Sequence, residues 1–226
     1  MSEALPSWLF SGAFLWLLLA TSWRLLQWAL TPSPLPIPLA PAPRTRKGVA
    51  GRLLLECLLF RSLARANPST WVASMALHYG LLLVLLMHLR FVFAQLPLWV
   101  LPFIRFSGWA TVALLAGLSV LLLRRLWVDR LRYISSPSDY LHLVLLLCIA
   151  LSGAALKRLW PADLFAVGQF VRGALSLDAQ VLPAQAGLWL HLSLVLVLIV
   201  IFPISKLLHG AGILFSPSFN QRDPHA

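Results

Sequence analysis

The chain has 226 residues, of which 60% are hydrophobic and 11% are charged. A soluble domain of this length cannot bury so much apolar surface, so the composition predicts an integral membrane protein. The formal net charge of +11 would suggest a nucleic-acid partner in a soluble chain. Here the basic residues lie between hydrophobic runs, so membrane orientation and anionic lipid are the simpler explanation, and no nucleic-acid partner is expected.

Five hydrophobic runs predict membrane-spanning helices. They cover about 8–30, 71–93, 108–123, 140–156 and 188–208. The first run lacks the basic start of a signal peptide, and we expect it to be retained as a helix. The sequence therefore predicts an all-α integral membrane protein, a five-transmembrane-helix bundle that forms one domain over 1–226.

Two connecting segments carry further structure. The segment 31–70 begins with the proline-rich stretch Pro32–Pro43, which we expect to be extended. It continues with a short leucine-rich core among six basic residues, which predicts a helix lying in the membrane interface or under a partner subunit. Apolar residues at helical spacing in 161–177 predict a short amphipathic helix on the membrane surface.

The distribution of Lys and Arg predicts the orientation of the chain. With the N-terminus outside, thirteen basic residues lie on the inner side and five on the outer side. The excess of basic residues in cytoplasmic loops then places the C-terminus in the cytoplasm. The segment 31–70 becomes cytoplasmic and the amphipathic segment 161–177 lies outside.

Three of the six histidines fall in the second and fifth predicted spans, and a fourth directly follows the fifth span. They are His78, His88, His191 and His209. A buried polar side chain without a partner costs free energy, so imidazoles in membrane helices need an explanation. One such histidine alone is more often an interfacial or hydrogen-bonded residue than a metal ligand.

The spacing of these histidines predicts two pairs. In a continuous helix, His191 and His209 lie about 27 Å apart on one face, and His78 and His88 lie about 15 Å apart. If the two helices are antiparallel, His78 is level with His209, and His88 is level with His191. Two facing imidazoles are what a six-coordinate haem iron needs, so we predict an inner and an outer haem about 20 Å apart. Pro203 is expected to kink the fifth helix.

The cysteines and the other polar residues indicate which haem type is expected and which side chains could contact it. The chain has no CxxCH motif, so both haems are expected to be of b type, and Cys57 and Cys148 form no CxxC motif for an iron–sulfur cluster. Arg90 and Lys206 are candidates to contact haem propionates or a quinone carbonyl, although both could instead extend to the membrane surface. We interpret His142 as an interfacial histidine with a hydrogen-bond partner rather than a ligand.

Beyond these histidines, longer motifs resemble a known family. The two histidine pairs look like those of the nitrate reductase gamma subunit superfamily of di-haem cytochromes b. Within it the chain resembles the DsrM branch, the membrane subunits of the DsrMKJOP complexes of sulfur-metabolising bacteria. The resemblance covers Gly51 to Asn220 and is carried by the strings GRLLLECLLFRSL, HYGLLLVLLMHLRF, LLLRRL, LRYISSPSDY and FPISKLLHGAGILFSPSFN.

The resemblance implies a function. It implies two haem b groups, ligated by His78 with His209 and by His88 with His191, and exchange of menaquinone or ubiquinone near the outer haem. It also implies a cytoplasmic iron–sulfur partner, DsrK, which resembles heterodisulfide reductase, and the further subunits DsrJ, DsrO and DsrP.

On this reading, the protein is a multi-pass subunit of the cell inner membrane. It passes electrons between the quinone pool and DsrK in dissimilatory sulfur metabolism. No catalytic nucleophile or carboxylate pair is present, so quinone oxidation or reduction is the only chemistry expected on this chain. Two alternatives stay open, the gamma subunit of a respiratory nitrate reductase and a haem-free membrane scaffold or permease.

Overall fold

The computed structural model describes residues 4–33 and 35–223, and the regular secondary structure of these residues is helical. The sixth histidine, His225, lies outside the described residues. In chain order the α-helices are α1 (Leu5–Leu30), α2 (Arg46–Leu59), α3 (Arg61–Ala66), α4 (Pro68–Val92), α5 (Ser107–Trp127), α6 (Asp129–Ile134), α7 (Pro137–Arg158), α8 (Leu164–Ser176), α9 (Ala186–Ile201), α10 (His209–Phe215) and α11 (Pro217–Asn220). Segments of 3-10 helix cover Leu98–Phe106, Phe202–Ile204 and Lys206–Leu208.

Five described helical stretches are long and apolar enough to cross a membrane. They are Leu5–Leu30, Pro68–Val92, Leu98–Trp127, Pro137–Arg158 and Ala186–Ile204. This confirms the predicted all-helical fold with five candidate spans. The third span is longer than predicted, because a 3-10 segment that contains Pro102 leads directly into α5.

The loop between α5 and α7 fixes the start of α7 through a capping box. The Asp139 carboxylate accepts a hydrogen bond from the backbone N–H of Ser136 at 2.9 Å, and Pro137 occupies the first turn, where its missing N–H costs nothing. Arg125, near the end of α5, lies 3.5 Å from the same carboxylate. The start of α7 is therefore tied to the end of α5.

The chain divides into two compact units. The first holds the chain up to Trp16 together with Val72–Val200, and the second holds Leu17–Trp71 and the chain from Ile201 onwards. Helix α1 begins in the first unit and ends in the second, and α4 begins in the second and continues into the first.

The first unit has two apolar cores. One joins α1, α8 and α9 around Phe170, which is fully buried. Helix α8 is capped by the Asp163 carboxylate and turns its apolar face into this core. The other core joins α4, α5 and α7 around Leu118.

Helices α4 and α5 pack closely because each offers a glycine to the other's backbone. A Cβ on Gly80 of α4 would lie 2.7 Å from the amide nitrogen of Leu114 in α5. A Cβ on Gly117 of α5 would lie 2.5 Å from the amide nitrogen of Leu77 in α4. Small residues at membrane helix crossings allow this approach, and it fixes the position of the helix that carries His78 and His88.

In the second unit the proline-rich segment runs alongside the end of the chain. Proline lacks an N–H and has a fixed φ, so this segment forms no helix. The backbone N–H of Leu39 donates to the carbonyl of Ser218 at 2.9 Å, and that of Asp223 donates to the carbonyl of Pro43 at 3.0 Å. These bonds hold the two segments together within the unit.

Candidate functional site

The predicted outer pair, His88 and His191, lies within the first unit. His88 occupies the last two turns of α4, and His191 is the sixth residue of α9. Their imidazoles are close enough to interact electrostatically. The structure therefore brings together two histidines that are more than a hundred positions apart in the sequence.

Helix α7 supplies the residues that hold the His191 ring. The ring nitrogen Nδ1 lies 2.9 Å from Oγ of Ser152. Ser152 Oγ also lies 3.0 Å from the carbonyl of Ile149, which can only accept. With the hydroxyl proton on that carbonyl, Oγ accepts from Nδ1 of His191. A Cβ on the neighbouring Gly153 would lie 3.1 Å from Cε1 of the same ring. The absence of a side chain at Gly153 leaves room for the imidazole.

The His88 ring is held by its own helix. Nδ1 of His88 donates to the carbonyl of Val84 at 2.7 Å, because a carbonyl oxygen can only accept. The ring also meets Phe91 edge to face, with 5.7 Å between ring centroids. With the proton on Nδ1, the lone pair of a neutral His88 is on Nε2.

The predicted inner ligands have the same tautomer. Nδ1 of His78 donates to the carbonyl of Ser74 at 2.8 Å, and Nδ1 of His209 donates to the carbonyl of Lys206 at 3.0 Å. His78 belongs to the first unit and His209 to the second. Their pairing at one level stays a prediction.

The chain between His191 and His209 differs from the predicted single kinked helix. Helix α9 ends at Ile201, and Ser205 is extended, with φ −103° and ψ 167°. The fifth candidate span ends at Ile204 rather than at 208. His209 is the first residue of the separate helix α10. The predicted rise of 27 Å and shared face therefore do not apply to this pair.

Two local features produce the break. Pro203, within the 3-10 turn after α9, has no N–H to continue the helical ladder. Ser205 Oγ then accepts a hydrogen bond from the N–H of Leu207 at 3.1 Å and caps the next 3-10 turn. The sequence predicted a kink at Pro203 and did not predict the second turn.

Of the two predicted cationic contacts, Arg90 has a defined position. Its Nε donates to the carbonyl of Met87 at 2.8 Å, and its guanidinium lies 5.8 Å from the ring centroid of Phe91. Lys206 is exposed, and its carbonyl accepts the hydrogen bond from His209. Contacts of Arg90 and Lys206 with propionates or quinone stay predictions.

Sequence reasoning did not identify Ser152 and Gly153. The signal that could have found them is a serine directly before a glycine inside an apolar span, because both leave space and one offers a hydroxyl. His142, on the same helix, is buried.

The four candidate histidines fit the ligands of haem iron. A metal-bound histidine normally donates its second ring N–H to a carbonyl, carboxylate or hydroxyl, which orients the ring and leaves the other nitrogen for the metal. His78, His88 and His209 donate from Nδ1 to a backbone carbonyl, and Nδ1 of His191 is hydrogen bonded to the Ser152 hydroxyl. A neutral ring with its proton on Nδ1 carries its lone pair on Nε2, the atom that would ligate an iron.

Comparison with known proteins gives the family. The family model described as "Nitrate reductase gamma subunit" matches residues 65–223. The chain is also 31% identical over 246 aligned positions to the Hdr-like menaquinol oxidoreductase cytochrome b-like subunit of Archaeoglobus fulgidus, with 88% of this chain and 73% of the relative covered. It is 29% identical to the protein of the same description in Archaeoglobus profundus, with 89% and 74% covered. The chain belongs to the nitrate reductase gamma subunit family.

Proposed function

We propose that this chain is the membrane electron-transfer subunit of a menaquinol-linked oxidoreductase. It holds two b haems and connects the quinone pool to a cytoplasmic iron–sulfur subunit. His88 and His191 ligate the outer haem, and His78 and His209 ligate the inner one. The N-terminus is outside, the C-terminus is cytoplasmic, and the protein resides in the cell inner membrane.

The observation that carries this proposal is the shared hydrogen bonding of the four histidines. Three of them donate from Nδ1 to a backbone carbonyl, and Nδ1 of His191 is hydrogen bonded to the Ser152 hydroxyl. A proton on Nδ1 puts the lone pair of a neutral imidazole on Nε2. Ligation of iron through Nε2 requires that tautomer.

The chain's own residues bind and orient the cofactors. When bound, a b haem supplies one-electron oxidation and reduction at a potential set by its axial ligands and their hydrogen bonds. The α7 pair Ser152 and Gly153 fixes the His191 ring, and the Val84 carbonyl fixes His88. Arg90, close to His88 in sequence, is the candidate to bind a propionate or a quinone carbonyl on the outer side. Lys206 is the matching candidate on the inner side.

Two kinds of support favour menaquinol and a heterodisulfide-reductase-like partner. Both relatives are described as Hdr-like menaquinol oxidoreductase subunits. The motif strings resemble the DsrM branch, whose expected partner, DsrK, is of the same type. We therefore propose DsrK as the cytoplasmic partner, DsrJ, DsrO and DsrP as further subunits, and sulfur metabolism as the setting.

A second candidate is the gamma subunit of a nitrate reductase, favoured by the description of the matching family model. The two candidates share the haems and differ in the cytoplasmic partner. The two candidates are distinguished by isolating the intact complex from native membranes and identifying its subunits by mass spectrometry. An iron–sulfur subunit with heterodisulfide-reductase-like sequence is expected, and a molybdenum-containing nitrate reductase subunit in its place would contradict the DsrK assignment.

The electron-transfer proposal itself is tested by quinol oxidation. The purified complex is mixed anaerobically with a reduced menaquinol analogue, and the b-haem absorbance is followed by stopped flow. Rapid partial reduction is expected, with the extent set by the potentials. No reduction by quinol in a complex that dithionite does reduce would contradict the link to the quinone pool.

A further inference from the structure

One face of helix α2 is exposed, and the opposite face contacts other residues of the same unit. Lys47, Gly51, Leu54 and Leu58 are exposed, and their spacing places them within about 60° of one another around the helix axis. Leu54 and Leu58 keep 59% and 50% of their surface exposed, respectively. A leucine stripe of this kind beside basic residues is typical of a helix lying in a membrane interface.

The opposite face of α2 is already used within the protein. Val49 is buried. Arg52 donates to the carbonyl of Leu39 at 2.7 Å and lies over the ring of Phe219, 5.5 Å from its centroid. The exposed face is therefore the one that remains for a ligand outside this unit.

The single acidic residue of segment 44–66 is withdrawn from the exposed face. Both carboxylate oxygens of Glu56 accept hydrogen bonds from the backbone N–H of Ser62, at 3.0 and 3.1 Å. The Ser62 hydroxyl adds a third bond at 2.8 Å. Glu56 thus caps the first turn of α3, and among the described residues it forms no ion pair with the exposed Arg61 and Arg65 of that helix.

Trp71 holds the end of α2 at the level of the first turn of α4. Trp71, in the first turn of the candidate span α4, donates its indole N–H to the carbonyl of Leu59 at 2.7 Å. Leu59 is the last residue of α2. The end of α2 is therefore held beside the start of a membrane span, at the level where indole rings commonly sit.

We propose that the exposed face of α2 and α3 binds anionic phospholipid. Leu54 and Leu58 insert among the acyl chains of the leaflet next to the start of α4, and Lys47, Arg61 and Arg65 bind the phosphate groups. Charge complementarity decides the occupant, because exposed basic residues lie on the same two helices as the apolar stripe. Glu56 lies on the opposite face of α2 from Leu54 and Leu58 by helical spacing.

The first test measures the depth of α2 in a bilayer. The full chain is reconstituted in nanodiscs that contain phosphatidylglycerol, with a nitroxide on Leu54→Cys in a Cys57→Ser, Cys148→Ser background. The label is expected to be more accessible to oxygen than to a water-soluble nickel chelate. Higher accessibility to the nickel chelate would overturn the proposal and leave the face for a protein partner.

The second test measures lipid selectivity. The triple variant Lys47→Gln, Arg61→Gln, Arg65→Gln is compared with the native chain for the number of phosphatidylglycerol molecules retained after detergent purification. A control variant removes the same charge elsewhere, at Arg105, Lys157 and Arg158.

The expected result is loss of retained phosphatidylglycerol in the α2–α3 variant and full retention in the control. Equal retention in all three proteins would overturn the proposal. Equal loss in both variants would also overturn it, because it would mean that net charge rather than this surface holds the lipid.

Discussion

His88 and His191 stand on helices that continue beyond them in both directions, whereas His209 begins a new helix after a break in the chain. The His191 ring is held across helices, by the hydroxyl of Ser152 on α7. The His209 ring is held within its own segment, by the carbonyl of Lys206 three positions earlier.

This difference indicates which changes affect which site. An imidazole that is bonded to a neighbouring helix depends on the packing of both helices. One that is bonded within its own turn depends on the conformation of that turn. Substitutions on α7 should therefore affect the outer site, and substitutions around Ser205 should affect the inner one.

The largest effect is expected from Gly117→Val, because this substitution should disturb the outer and the inner haem site together. The new Cβ would lie 2.5 Å from the backbone nitrogen of Leu77 and 2.7 Å from the carbonyl of Ala73. Backbone atoms cannot move aside as a side chain does, so α4 is displaced together with both of its histidines. We expect loss of both haems and a lower midpoint of thermal unfolding.

These losses are measured as haem per chain and by differential scanning fluorimetry in detergent. Gly108→Val is the matched control, because a Cβ there meets nothing within 4 Å. Full haem content in Gly117→Val would show that the contact between α4 and α5 does not position the ligands.

Gly153→Val is expected to remove one haem only. A Cβ at this position would lie 3.1 Å from Cε1 of His191, and the two further methyl groups would push the imidazole from its place. We expect about one haem per chain, with the inner haem's spectrum unchanged. Redox titration of the remaining absorbance would show which haem is lost, and loss of both would contradict the separation of the two sites.

Ser152→Ala is a milder change to the same ring. The substitution removes the oxygen that is hydrogen bonded to Nδ1 of His191, while the backbone is kept. Removing a hydrogen-bond partner of a metal ligand typically weakens binding by about 10–100-fold, so faster transfer of one haem to apomyoglobin is expected. Ser152→Thr keeps a hydroxyl and should restore slow transfer. Equal rates of haem transfer from Ser152→Ala and from the native protein would refute the role of this hydroxyl.

Ser205→Ala should give the smallest effect, confined to the inner site. It removes the oxygen that caps the turn before His209, a change that costs about 1 kcal/mol in comparable caps. We expect a shifted midpoint potential of one haem and an unchanged potential of the other. Ser205→Asn, which retains a capping oxygen, should behave like the native protein. A shift of the outer potential would argue against a local role.

The sequence was sufficient to predict the helical class and the five spans, because apolar length alone determines them. It also indicated four histidines whose Nδ1 atoms each lie within hydrogen-bond distance of an oxygen. The charge pattern of 31–70 predicted a surface helix, and the structure adds which face of α2 is exposed.

Two features could not be read from the sequence. The break before His209 depends on Pro203 and the Ser205 cap acting together, whereas the sequence suggested one kinked helix. The contact of Ser152 with His191 depends on how α7 packs against α9, which periodicity does not determine. Both failures concern tertiary packing and local capping rather than hydrophobic pattern.

The most direct test of the central claim is the haem content of the purified complex, measured by pyridine haemochrome quantification and a dithionite-reduced minus oxidised spectrum. Two b haems per chain are expected in the native protein. His88→Ala should lose the outer haem and His209→Ala the inner one, so each variant should retain at most one. A native chain without haem from a haem-replete host, or full haem content in both variants, would contradict the assignment of these histidines.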